Sequence, residues 1–270
     1  MKSVEKLTKR LEEGKHICIG LDSDRNKIPE YLRNDEDGIL KFNKNIIEST
    51  KEDVCAYKIN LAFYEKEGKK GIDALERTMD LMPEDVFVIG DAKRGDIGNT
   101  SEMYAYSIFE HFLFDSVTLH PYMGYDSLLP FFEYEDKINF ILALTSNAGS
   151  LDFEKLKLDS GKYLYQEVIN KAVQWNTKNN LGVVFGATNP IELKEEIDAL
   201  KSLFVLLPGV GAQGGSLEDV ASTFYSAGNK KFLVNVSRAI IYSDSTENFA
   251  SSASENLKNY NQKIKIIVNA

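Results

Sequence analysis

The sequence has few cysteines and no long apolar run. Its two cysteines, Cys18 and Cys55, are too few for the disulfide framework of a small secreted domain, and both fall in apolar stretches where we expect buried free thiols. No stretch approaches the roughly 18 uncharged apolar residues that cross a bilayer. Residues 1–14 are charged and lack the apolar centre of a signal peptide. We therefore expect a cytoplasmic protein that does not bind membranes.

Positive charge and histidine are also scarce. The chain has 32 Lys and Arg against 41 Asp and Glu, which gives a net charge of -9, and it has 3 His. Nucleic acids and anionic membranes are bound by basic surfaces, so neither is an expected partner. An acidic protein can still bind a small anion at a locally positive site. The histidines and cysteines are not spaced as metal ligands, so we expect no metal site among them.

Eight short apolar runs divide the chain at regular intervals, and most of them are continuously apolar, as strands covered on both faces are. They are His16–Asp22, Cys55–Leu61, Val86–Lys93, Ser116–Pro121, Asn139–Ser146, Leu181–Thr188, Leu203–Gly211 and Lys231–Ser237.

Segments with helical periodicity separate these runs. Gly38–Ser49 and Asn189–Ser202 carry apolar residues along one face, and Ser216 with Asp219 is typical of a helix start. The alternation predicts an α/β fold, a (β/α)₈ TIM barrel that occupies residues 1–270 as a single domain. An open, doubly wound sheet is the alternative.

Charged residues concentrate at the ends of the first three predicted strands, where a barrel of this kind carries its active site. The third run continues into D-A-K-R-G-D-I-G-N-T, in which Asp91 and Lys93 point to the same side and Asp96 follows a glycine. Asp22 ends the first run, and Lys58 lies in the C-terminal half of the second. Alternating carboxylates and ammonium groups keep one another ionised, and an ammonium group held in this way can act as an acid. A purely structural ion-pair network is the alternative.

A glycine-rich segment follows the seventh run. Pro208–Gly215 reads P-G-V-G-A-Q-G-G, and its backbone N–H groups could approach an anion closely beside the helix predicted from Ser216. Arg238 follows the eighth run and can bind an oxyanion through two hydrogen bonds. Barrels usually bind phosphate after strands seven and eight, so the segment predicts a phosphate site. A tight turn without a ligand is the alternative.

The chain resembles the orotidine 5′-phosphate decarboxylases, in particular their bacterial type 2 subfamily. The resemblance rests first on D-A-K-R-G-D-I-G-N-T and extends, in the same order, from about residue 5 to about residue 260. The supporting motifs are I-G-L-D-S-D at 19–24, Y-K-I-N at 57–60, H-P-Y-M-G-Y-D-S-L at 120–128, T-S-N at 145–147, P-G-V-G-A-Q-G-G at 208–215 and V-S-R at 236–238.

The resemblance implies a cofactor-independent decarboxylation of orotidine 5′-monophosphate to uridine 5′-monophosphate. Lys58, Asp91, Lys93 and Asp96 would form the catalytic array, with Lys93 protonating C6 of the pyrimidine. It also implies a homodimer in which Asp96 and Thr100 reach the neighbouring subunit's site. The residues implied to bind the substrate are Asp22, Lys58, Thr100, Ser146, Pro208, Gln213, Gly214 and Arg238.

Three points stay open at this stage. His120 could be read as a general base, but we interpret it as a structural histidine. The polar connection 147–180 has no assigned role. Two rival functions are a magnesium-dependent hexulose-phosphate synthase and an inactive protein that only binds a phosphorylated metabolite, although the latter would not need to keep Lys93.

Overall fold

The computed structural model describes residues 2–211 and 214–268, and within them eight parallel strands close into a barrel. Cys18 pairs with Ala56 of the second strand on one side and with Asn235 of the eighth on the other, so the open-sheet alternative is excluded. The strands are β1 Ile17–Gly20, β2 Ala56–Asn60, β3 Phe87–Arg94, β4 Ser116–Leu119, β5 Ile138–Leu144, β6 Leu181–Phe185, β7 Phe204–Pro208 and β8 Phe232–Val236.

Helices surround the barrel and alternate with the strands, which confirms the predicted (β/α)₈ architecture. No helix in the described residues is long and apolar enough to cross a membrane. The α-helices are α1 Ser3–Glu12, α2 Glu30–Arg33, α3 Gly38–Thr50, α4 Ala62–Glu65, α5 Lys69–Met79, α6 Gly98–Tyr106, α7 Tyr125–Phe132, α8 Leu164–Trp175, α9 Pro190–Glu196, α10 Leu217–Ser226, α11 Arg238–Ile241 and α12 Phe249–Val268.

The predicted helix starts are largely confirmed. Helix α3 begins at Gly38, and Ser216 caps α10 because its Oγ accepts a hydrogen bond from Asp219 N at 3.0 Å. The helix predicted over Asn189–Ser202 is shorter than expected. It ends at Glu196, and a 3₁₀ turn over Ala199–Ser202 leads into β7, which is a common way for a short helix to end.

The lower half of the barrel is filled with apolar side chains. Phe87, Phe140 and Phe204 meet there with Cys18, and leucines of α1 cover the N-terminal end of the strands. Both cysteines are free and buried, as predicted, and burial raises the pKa of Cys18 to about 12. A packed floor of this kind leaves only the C-terminal end of the barrel for polar chemistry.

Inward-facing positions turn polar in the upper half of the barrel. On β2 the alternation that places Ala56 inside also places Lys58 inside, and the register pairs Lys58 with Gly20 of β1 and Ile89 of β3. Asp22 and Asp91 each lie two residues beyond these partners. The strand register therefore places two carboxylates one inward-facing level above Lys58, where the long lysine side chain reaches both of them.

Candidate active site

Lys58 lies at the centre of the polar layer and is almost fully buried. Its Nζ is 2.9 Å from Asp91 Oδ2 and 3.3 Å from Asp22 Oδ1. Burial alone would lower the pKa of Lys58, but the Asp22 and Asp91 carboxylates raise it above its usual value. Lys58 is therefore a fixed cation shared by two anions.

The other carboxylate oxygen of Asp91, Oδ1, contacts a second cation and a hydroxyl group. Asp91 Oδ1 is 2.6 Å from Lys93 Nζ and accepts a hydrogen bond from Thr118 Oγ1 at 2.9 Å. Burial would raise the pKa of Asp91, but Lys58 and Lys93 together lower it well below its usual range. Asp22, Lys58, Asp91 and Lys93 thus form a line of alternating charge, which we call the ion array.

Thr118 was missing from the predicted site. It is buried on β4 and accepts a hydrogen bond from Lys93 N at 3.0 Å while its own hydroxyl donates to Asp91. The signal was present in the sequence, because Ser116, Thr118 and His120 are the alternate polar positions of an otherwise apolar run.

Lys93 departs from regular strand geometry. Its φ is 48°, in the left-handed region that residues other than glycine seldom adopt, and the pairing of β3 with β4 shifts register between Gly90 and Arg94. The Lys93 side chain is 51% exposed, whereas that of Lys58 is 6% exposed. The irregular backbone therefore presents one ammonium group of the array to the barrel mouth.

Among the described residues, no hydrogen bond or ion pair joins Asp96 or Thr100 to the ion array. Asp96 Oδ1 accepts a hydrogen bond from Ile97 N at 2.8 Å, and Thr100 is exposed in the first turn of α6. Apolar side chains stand beside them, with Ile97 60% and Met103 63% exposed.

A cavity of about 220 Å³ connects the ion array with the ends of β7 and β8. Its lining includes Lys58 and Asp91 at one end and Pro208, Gly209 and Arg238 at the other. Asn235 also lines the cavity. The cavity thus joins the two halves of the predicted site.

The loop after β7 depends on its glycines. Gly209, Gly211 and Gly214 have φ values of 103°, 77° and 90°, which disfavour any larger residue. A Cβ on Gly215 would lie 2.8 Å from Gly209 O, so the two limbs of the loop approach closely. Arg238 is exposed at the first position of α11. Gln213 lies outside the described residues.

Two further residues shape the mouth of the barrel. Tyr242 accepts a hydrogen bond from Asp24 N at 2.7 Å and donates one to Asp22 O at 2.9 Å, which fixes the loop that carries Asp22. His120 packs against the turn at Gly95, where a Cβ would lie 2.9 Å from the imidazole. This packing fits the structural interpretation of His120.

Metal ligation has no evident place in the described part of the chain. Across residues 2–211 and 214–268, no group of three or more His, Cys, Asp or Glu side chains could hold a metal ion.

Comparisons with known proteins agree on one family. The model of the orotidine 5′-phosphate decarboxylase / HUMPS family matches residues 15–253. The chain is 47% identical over 257 residues to orotidine 5′-phosphate decarboxylase of Porphyromonas gingivalis, covering 94% of this chain and 93% of that protein. It is 48% identical over 242 residues to the Phocaeicola vulgatus enzyme of the same name, covering 88% and 89%.

A solved structure shares the whole architecture. The OMP decarboxylase of Leishmania donovani superposes with a TM-score of 0.85 at 34% identity, covering 100% of each chain.

Proposed function

The chain belongs to the orotidine 5′-phosphate decarboxylase / HUMPS family, and from this premise we propose how its ion array carries out the reaction. The protein is a carboxy-lyase that converts orotidine 5′-monophosphate to uridine 5′-monophosphate in pyrimidine synthesis. The observation that carries the proposal is the ion array, of which Asp22, Lys58 and Asp91 line a cavity that also reaches the glycine-rich loop.

The substrate lies along this cavity. Its 5′-phosphate binds the loop from Pro208 to Gly214, together with Gln213 and Arg238, because backbone N–H groups and a guanidinium suit an oxyanion. The ribose contacts Asp22 and Lys58, and the pyrimidine ring contacts Ser146. The carboxylate of the substrate then points towards Asp91 and Lys93.

The chemistry needs a cation at C6 and no cofactor. When the bond between C6 and the carboxylate breaks, the electron pair stays on a ring carbon that has no adjacent electron sink. The Lys93 ammonium stabilises that charge and transfers its proton to C6, and the lysine later regains a proton from water. Binding energy from the distant phosphate holds the substrate carboxylate against the Asp91 carboxylate until it leaves.

An assay that measures the loss of orotidine 5′-monophosphate by ultraviolet absorbance tests this function. We expect full turnover in the presence of EDTA, since no step uses a metal. A hexulose-phosphate synthase would show aldol chemistry that EDTA abolishes, and a protein that only binds metabolites would show no turnover. Either result would contradict the proposal.

A homodimer would place Asp96 and Thr100 in the partner's site. This part of the proposal is supported by the position of the two residues, which are separate from the ion array and are followed by exposed Met103 and Tyr106 on α6. Such apolar exposure next to a polar motif is typical of an interface.

Mixing two inactive variants tests the shared site. Lys93→Ala and Asp96→Ala subunits should form mixed dimers with one intact site, so an equal mixture should recover roughly one quarter of wild-type activity by simple statistics. Each variant alone serves as the control. Activity that stays at the level of the single variants, in a mixture shown by native mass spectrometry to exchange subunits, would place both residues in one subunit's site.

We also propose that the protein acts in the cytoplasm and that residues 1–270 form one domain. The buried free thiols of Cys18 and Cys55 support a reducing compartment. The closed barrel, in which β8 pairs with β1, supports a single folding unit.

A further inference from the structure

The segment Thr145–Ser146, which follows β5, is held by an acidic residue from the polar connection 147–180. Glu154 Oε2 accepts a hydrogen bond from Thr145 N at 2.7 Å, and both carboxylate oxygens lie 2.9 Å from Thr145 Oγ1. Hydrogen bonds to a charged acceptor are roughly twice as strong as those between neutral groups. Glu154 therefore fixes the segment through Thr145 N, while the Thr145 hydroxyl is shared between Glu154 and Asn147 Oδ1, which lies 2.7 Å from it.

The opposite side of the same segment is held from the end of β6. Asn189, which is buried, donates from Nδ2 to Thr145 O at 3.2 Å, and Thr188 Oγ1 donates to Ser146 O at 3.4 Å. A Cβ on Gly186 would lie 2.8 Å from Ser146 N, so the two backbones touch. The segment cannot move towards β6, and Glu154 prevents it from moving away.

Glu154 is itself held in place by the fold of the connection. Its carbonyl oxygen accepts a hydrogen bond from Tyr165 N at 2.9 Å at the start of α8. The next residue, Lys155, forms an ion pair with Glu192 of α9 at 2.5 Å. The acidic side chain is thus presented by a fixed piece of chain.

We propose that Glu154 and Asn189 are positioning residues that aim the Ser146 side chain at the pyrimidine ring of the substrate. The inference rests on the proposed contact between Ser146 and that ring. It gives the polar connection 147–180 a role, which is to supply the carboxylate that fixes the end of β5. A displacement of about 1 Å at a substrate-contacting group can reduce the rate 100-fold, so a clamp of this kind matters for catalysis.

A double-mutant cycle between Glu154→Ala and Ser146→Ala separates positioning from simple stabilisation. Each single variant should lower kcat/KM by about tenfold, and the double variant should be no worse than Ser146→Ala alone, because Glu154 acts through Ser146. Glu154→Gln should keep most of the activity, since its amide oxygen can still accept from Thr145 N. Asp159→Ala is the matched control, because it removes an exposed carboxylate of the same connection without touching Thr145, and it should leave kcat/KM unchanged.

Each outcome decides a different point. If Ser146→Ala leaves kcat/KM unchanged, the proposed substrate contact is wrong and this inference falls with it. If Ser146→Ala is impaired while Glu154→Ala is normal, or if the two losses multiply in the double variant, only the positioning role is overturned. Should Glu154→Ala fail to fold, Thr145→Val is the substitute, because it removes the hydroxyl donor of Thr145. It is expected to lower kcat/KM by a few-fold in the wild-type background and to have no further effect in the Ser146→Ala background.

Discussion

Replacing Lys93 with alanine is expected to reduce turnover of orotidine 5′-monophosphate by at least about 10⁴-fold, because one substitution removes the group that we propose both to protonate C6 and to stabilise the carbanion. The fold should tolerate the change, since the Lys93 side chain is 51% exposed and Asp91 keeps its contacts with Lys58 and Thr118. The measurement is kcat from the absorbance assay.

Binding and a matched variant make this result specific. Binding of uridine 5′-monophosphate to Lys93→Ala should largely persist, because the proposed phosphate and ribose contacts lie elsewhere. Lys41→Ala removes a lysine of the same 51% exposure that is also paired with an aspartate, Asp35, and it should keep wild-type turnover. Near-normal turnover in Lys93→Ala would show that another group protonates C6.

Replacing Lys58 with methionine is expected to lower the free energy of unfolding by about 3–5 kcal/mol at pH 7, because the substitution leaves two carboxylates without their shared buried cation. Asp91 is only 10% exposed, and its remaining ion pair with Lys93 lies nearer to solvent. Urea unfolding of the two proteins gives the difference. Lys41→Met provides the control at an exposed pair and should change stability by less than about 1 kcal/mol.

The deficit of Lys58→Met should shrink as the pH falls. In the wild type the pKa of Asp91 is lower in the folded protein than in the unfolded chain. The ionised Asp91 therefore stabilises the fold fully above its unfolded pKa, and this stabilisation is lost as the pH falls towards the folded pKa. In the variant Asp91 keeps Lys93 but loses Lys58, so its folded pKa lies higher than in the wild type, and the deficit should stay constant near neutral pH and shrink as the pH falls below the ordinary aspartate pKa of about 3.9. A deficit as large at pH 3 as at pH 7 would show that Asp91 does not sense Lys58.

Much of the fold followed from the sequence because parallel strands covered on both faces leave an unmistakable apolar run. The eight predicted runs coincide with β1 to β8, and the glycine-rich loop and Arg238 fall at the ends of β7 and β8 as expected. The sequence also predicted that four charged residues meet, because each lies near the C-terminal end of one of the first three predicted strands. They are Asp22, Lys58, Asp91 and Lys93.

The supports of the site could not be predicted in the same way. Tyr242 reaches Asp22 across 220 residues, and Asn189 reaches Thr145 across 44, so no local pattern announces either hydrogen bond. Glu154 lies in a polar segment in which its carboxylate looks like any solvated charge until the chain folds back on β5. The assignments of Asp96 and Thr100 stay predictions, because they concern a second copy of the chain.

The left-handed backbone at Lys93 has an evolutionary consequence. A φ of 48° costs a residue with a Cβ about 1–2 kcal/mol, a penalty that glycine would avoid. Selection for a more stable barrel would therefore favour glycine at position 93, whereas the proposed role of Lys93 in decarboxylation requires a long cationic side chain there. The two pressures oppose each other at a single residue, and the lysine marks which of them has prevailed.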